Sequence, residues 1–198
     1  MLLYFILILI VNIVVVLLNS LFGSDPWWYY LIFSVGGTLF EIIIDGIIAT
    51  LIRKLPEKGF IYEEHKYFHT SKGLLRFFEK FGVKKWKDHI PELGGFTDFH
   101  KNHVADPKDP KYLSRFMLEA CYGVLIHEIS YPLGFLVLLL DYRIYYSSSM
   151  IWLTVLVPVA ITNLICCMLP AITLRYNLPK LNKMKQFAER KASRTKES

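Results

Sequence analysis

Cysteine is scarce, three in 198 residues, and Cys121, Cys166 and Cys167 all fall inside apolar runs. That excludes a disulfide framework and gives no thiol cluster for a metal; such cysteines read as small apolar packing groups. Histidine is sparse too, six with no two adjacent, whereas a His-ligated membrane oxidase needs about eight in paired boxes. No serine or cysteine sits in a recognisable nucleophile motif, which disfavours an acyl-enzyme. No Lys or Arg precedes the first apolar run. That run is also longer than a usual signal-peptide core and lacks a small-residue cleavage site, so it reads as a helix of the mature protein.

What the chain has in abundance is apolar sequence: 54% of residues are hydrophobic and mean hydropathy is positive. Four runs are long enough to cross a bilayer: 1–22, 27–52, 112–140 and 145–174, the last containing Pro158 and Pro170. The expected fold is an all-α integral membrane protein, four transmembrane helices in two hairpins, with a cytoplasmic segment at 53–111. Residues 1–181 read as one membrane domain, followed by a charged cytoplasmic tail at 182–198. Charge is sorted along this plan. Of 23 Lys and Arg, 14 lie in 53–115 and 8 from Arg175 onward, with Arg143 the remaining one. By the positive-inside rule both termini and the long connection are cytoplasmic, as in a multi-pass protein of a bacterial inner membrane.

The third run keeps Glu119, His127 and Glu128 in its apolar first half. Ionisable groups in hydrocarbon are costly, so they face protein, water or substrate. The second run begins with the aromatic belt Trp27 to Tyr30, passes Gly36 and Gly37, which permit close helix approach, and carries Glu41 and Asp45 four apart on one face. Measured inward from Arg53, Arg115 and Arg175, residues Glu41, His127 and Asn163 each lie roughly 18 Å deep and Asp45 about 12 Å. That agreement points to one polar pocket open to the cytoplasmic leaflet.

Between the second and third runs, Leu74, Leu75, Phe77, Phe78 and Phe81 alternate with charge. The pattern predicts an amphipathic helix ended by Gly82, on the inner membrane surface or packed under the bundle. Lys84, Lys85 and Lys87 surround Trp86, and Pro91, Gly94 and Gly95 form a turn with exposed amides, an interfacial anchor or a phosphate loop. His65 with His69, and His100 with His103, have helical metal-pair spacing, but nearby carboxylates are few and no cysteine is near; no metal is expected. Pro179 is expected to stop the fourth helix.

Three blocks, in order, carry a resemblance: Lys85-Trp86-Lys87-Asp88 with Ile90-Pro91; Glu119 eight residues before His127; and Arg175-Tyr176-Asn177 with Pro179-Lys180-Leu181. Over roughly 81–181 the chain resembles the glycosyl-4,4'-diaponeurosporenoate acyltransferases, small bacterial membrane proteins that esterify a sugar hydroxyl with a fatty acyl group in staphyloxanthin-type carotenoid synthesis. It departs from the family pattern at Val124, where a second Glu is usual, and at Glu128, where an aromatic is usual. The resemblance implies O-acyl transfer from acyl-CoA or an acyl carrier protein, with no bound cofactor, to a glycosylated lipid, either a carotenoid glycoside or a glycolipid. In that chemistry His127 is the base, Glu119 orients it, and Asn163 or Lys87 donates to the oxyanion. Lys85, Lys87 and Arg175 grip the donor's phosphate. Trp86, Asp88, Tyr176 and Asn177 complete the donor side, and Glu41 and Asp45 remain for substrate. The rival reading is a non-catalytic membrane scaffold or lipid-binding protein.

Overall fold

The computed structural model describes residues 2–90, 104–141 and 150–197. The turn at 91–96, the His100/His103 pair and the turn at 142–145 lie outside the described residues. The described residues are helical, with no strand among them. Six α-helices follow in order: α1 (Leu2–Phe22), α2 (Trp27–Arg53), α3 (Lys72–Lys80), α4 (Val83–Trp86), α5 (Pro110–Leu133) and α6 (Val157–Glu197). A 3-10 stretch, Gly134–Leu140, continues α5, and a π-turn, Trp152–Leu156, leads into α6. Four helices are long and apolar enough to span a membrane: Tyr4–Phe22, Trp27–Arg53, Pro110–Leu140 and Trp152–Arg194. Each corresponds to one of the four apolar runs.

The chain divides into two compact units, residues 1–51 with 128–168 and residues 52–127 with 169–198. In the first unit, Val15, Tyr30, Ile151 and Val155 form one buried cluster and Val137, Leu156, Val159 and Ala160 another. Of the two adjacent glycines Gly36 and Gly37 in α2, Gly37 serves close packing: a Cβ there would stand 3.1 Å from Val137 and 3.2 Å from Leu156, while one on Gly36 would meet nothing within 4 Å. α1 contributes more than bulk. Asn12 Oδ1 accepts from Ser34 Oγ at 2.6 Å, and Asn12 Nδ2 donates to Thr38 Oγ1 at 3.1 Å. Asn19 Nδ2 donates at 3.1 Å to the carbonyl of Thr154, the acceptor that Pro158, lacking an N–H, cannot serve.

In the second unit α3 is capped by Ser71, whose Oγ accepts from the amide of Leu74 at 3.1 Å. Phe78 is buried with Val83 and Tyr176, while Leu74, Phe77 and Phe81 are exposed, so the helix is two-faced as the pattern predicts. Gly82 ends it with φ +73, a left-handed conformation that costs other residues strain.

The fourth helix does not stop at Pro179. α6 runs to Glu197 through Pro170 and Pro179. A proline inside a helix leaves the carbonyl four residues earlier without its donor. For Pro179 that carbonyl belongs to Arg175, and Thr70 Oγ1 donates to it at 2.8 Å. A side chain from outside the helix thus replaces the missing backbone bond.

Candidate active site

Nine of the twelve candidate residues fall in the second unit. At the end of α2, Arg53 Nη1 donates to Glu119 Oε2 at 2.7 Å. One turn before Glu119 on α5, Arg115 Nη2 donates to Oε1 at 2.9 Å and its Nη1 reaches Glu57 at 2.9 Å. Glu119 is 10% exposed in its side chain, the arginines about half. Both of its oxygens are therefore engaged by guanidinium groups. Tyr122, on the next turn, stacks on Phe60 at 4.1 Å and donates to the carbonyl of Leu55 at 3.2 Å. His127 lies two turns beyond Glu119, half-buried, and no described residue hydrogen-bonds its ring.

The first and third sequence blocks meet. Trp86 packs on the Phe78, Val83 and Tyr176 cluster, and its Nε1 donates to the carbonyl of Phe81 at 3.1 Å. Glu79 Oε1 accepts from Lys84 Nζ at 2.8 Å and from the Tyr176 hydroxyl at 3.3 Å. The hydrogen bond and charge of Lys84 hold the Glu79 carboxyl below the usual carboxylate range, and Glu79 in turn raises Lys84. Lys180 Nζ stands 3.9 Å from the centre of the Tyr176 ring. Lys87 donates to Asp88 at 2.5 Å, whereas Lys85 is exposed with no described partner. Arg175 Nη1 donates to the carbonyl of Tyr67 at 2.9 Å, and its guanidinium lies 4.9 Å from that ring. Asn177 is half-buried one residue on from Tyr176.

His65 and His69 flank a 3-10 turn, Lys66–Phe68, and each ring binds a backbone carbonyl, Lys58 at 2.7 Å and Tyr62 at 2.8 Å. Burial raises the hydroxyl pKa of Tyr62, whose ring lies 4.6 Å from that of His69.

The other three candidates, Glu41, Asp45 and Asn163, lie in the first unit. Asn163 and Asp45 are joined through a residue read from sequence as packing only. The Cys167 sulfur is 3.7 Å from Asp45 Oδ2 and 3.5 Å from Asn163 Oδ1. Glu41 is 5% exposed, and its Oε1 has no hydrogen-bond partner among the described residues.

The model of the family described as glycosyl-4,4'-diaponeurosporenoate acyltransferase (CrtO) matches residues 61–186. The chain belongs to that family. The match includes every candidate in this acyltransferase except Glu41 and Asp45, and it takes in the packed Trp86 and Tyr176. No curated protein and no solved structure matches the acyltransferase.

Proposed function

We propose that the protein moves a fatty acyl group from a cytoplasmic thioester, acyl-CoA or an acyl carrier protein, to a hydroxyl of a glycosylated lipid held in the inner leaflet. The acceptor hydroxyl attacks the thioester carbonyl. The new C–O ester bond forms as the C–S bond breaks, and the hydroxyl proton ends on the departing thiol. His127 is the base that carries this proton. Its imidazole stands in an apolar helix with no described group on its ring, which leaves a nitrogen for the reacting proton.

Lys85 and the basic turn around Trp86 receive the donor's phosphate, with both termini on the cytoplasmic side. Arg175 and Lys87 enter this reading differently from the sequence expectation, because Tyr67 and Asp88 already engage them. Glu119 acts as a positioning residue for Arg53 and Arg115 rather than as the direct partner of His127. The family match, which covers the second-unit candidates together, carries the reading.

Mass spectrometry of total lipids from cells making the wild-type chain or His127→Ala tests it, in a host containing glycosylated carotenoid or glycolipid. A lipid heavier by one acyl group in the wild type alone is expected. Identical lipid profiles would favour the non-catalytic scaffold.

A further inference from the structure

In the second unit, α3 presents three faces. At helical spacing Leu75 and Phe78 share one of them, and there Phe78 is buried with Val83 and Tyr176, with Leu75 and Ile172 packed on the same cluster. The adjoining face holds Leu74, Phe77 and Phe81 within an arc of about 60°. That face stays open among the described residues: Phe77 is 58% exposed and Phe81 60%, and the two rings stack on each other with centroids 6.1 Å apart. Next around the helix come Lys72, Arg76 and Lys80, spaced by four and all exposed. Glu79, the one acid of the helix, is engaged by Lys84 and Tyr176.

The level of α3 is set by the fourth span. Thr70, just before the helix, donates to the carbonyl of Arg175, and Phe78 packs beside Tyr176 and Ile172. The apolar run of that span ends at Leu174, and Arg175 follows at once. α3 is therefore held where the span leaves hydrocarbon, at the depth of lipid headgroups. At that depth apolar rings are stable in the acyl boundary, and long cationic side chains reach from the helix to the phosphates.

We propose that the Leu74, Phe77 and Phe81 face of α3 lies in the membrane surface and that Lys72, Arg76 and Lys80 bind the headgroups of anionic phospholipid. Charge selects that occupant. A second copy meeting this face about a two-fold axis would bring two cationic stripes together. A zwitterionic surface would accept the rings but give the stripe no opposite charge. The bilayer is already at hand, because four helices of this chain are long and apolar enough to span one. The three cations are distinct from Lys85, and the proposal does not depend on the acyl-transfer reading.

The test uses the full chain in nanodiscs of phosphatidylcholine, alone or mixed with phosphatidylglycerol. A nitroxide attached through Phe77→Cys or Phe81→Cys is expected to be relaxed by oxygen and shielded from a water-soluble nickel chelate, whereas one attached through Arg76→Cys is expected to meet the chelate. The chain without an added cysteine gives the background. In the unsubstituted chain, hydrogen exchange of the Leu75 to Lys80 amides should slow about ten-fold when phosphatidylglycerol is added at low salt. A triple variant, Lys72→Gln with Arg76→Gln and Lys80→Gln, should lose that slowing and exchange as the wild type does in phosphatidylcholine. Nitroxides at the two phenylalanine positions that meet the chelate overturn the proposal. Nitroxides there shielded from both reagents overturn it in favour of a protein partner or a second copy. Equal exchange in the two lipids, or slowing retained in the triple variant, overturns the anionic headgroup site.

Discussion

Thr70 and Arg175 are joined by a hydrogen bond of 2.8 Å to a carbonyl that Pro179 leaves without a helical donor. Removing the donor with Thr70→Val strands that carbonyl and is expected to cost about 1–3 kcal/mol of stability. In a Pro179→Ala background the backbone N–H returns and the same substitution should cost much less. Melting temperatures of the two single variants and the double variant check this. An equal cost in both backgrounds would refute the coupling.

Glu119 and His127 should separate by kind of defect. Glu119→Gln leaves Arg53 and Arg115 facing a neutral amide, and because the arginines are half-exposed the loss is expected near 1–2 kcal/mol rather than that of a fully buried pair. His127→Ala removes a ring that no described residue bonds, so acyl transfer should vanish while the melting temperature stays within about 1 °C of wild type. Thermal denaturation beside a lipid assay reads both.

The link between α3 and Tyr176 depends on pH at its two ends. Glu79 has a lowered folded pKa, so its contribution is complete above the ordinary Glu value of about 4.3 and is lost as pH falls through the folded value. Lys84 has a raised one, so its contribution is complete below about 10.4 and is lost as pH rises through the folded value. Protection of the Leu75 to Lys80 amides against hydrogen exchange, corrected for intrinsic rates, should be flat across neutral pH and fall at both extremes. Glu79→Gln should abolish the acid-side fall.

Arg175→Lys tests whether this cation supports the fold or the donor. A lysine keeps the charge but loses the planar contact with Tyr67 and the fixed fork toward its carbonyl. Stability should fall by about 1 kcal/mol with the KM for donor unchanged, whereas Lys85→Ala should raise that KM several-fold and leave stability intact. Steady-state kinetics with acyl-CoA distinguishes the two residues.

The four apolar helices were legible because length and hydropathy alone specify them, and α3 because its apolar residues recur at helical spacing with Ser71 and Gly82 at its ends. The path of α6 was not legible. Pro179 reads as a stop until Thr70, 105 positions away, is known to serve the freed carbonyl. Half of the Glu119 pairing was written in the sequence, since Arg115 precedes it by four, but Arg53 stands 66 positions away. Cys167 was read as a packing group because a thiol is small and ordinary in an apolar helix. Its spacing of four from Asn163 matches that of Glu41 and Asp45, and it was the one signal that could have tied it to them.

The bond from Asn19 to the Thr154 carbonyl sets an order on how this chain can change over generations. Replacing Pro158 first restores a backbone donor, and Asn19 then becomes free to drift. Replacing Asn19 first passes through a carbonyl that has lost its side-chain donor, a step costing about 1 kcal/mol at this exposed position. The two neighbouring genotypes are therefore not equally reachable, and lineages that have lost the asparagine are expected to have lost the proline before it.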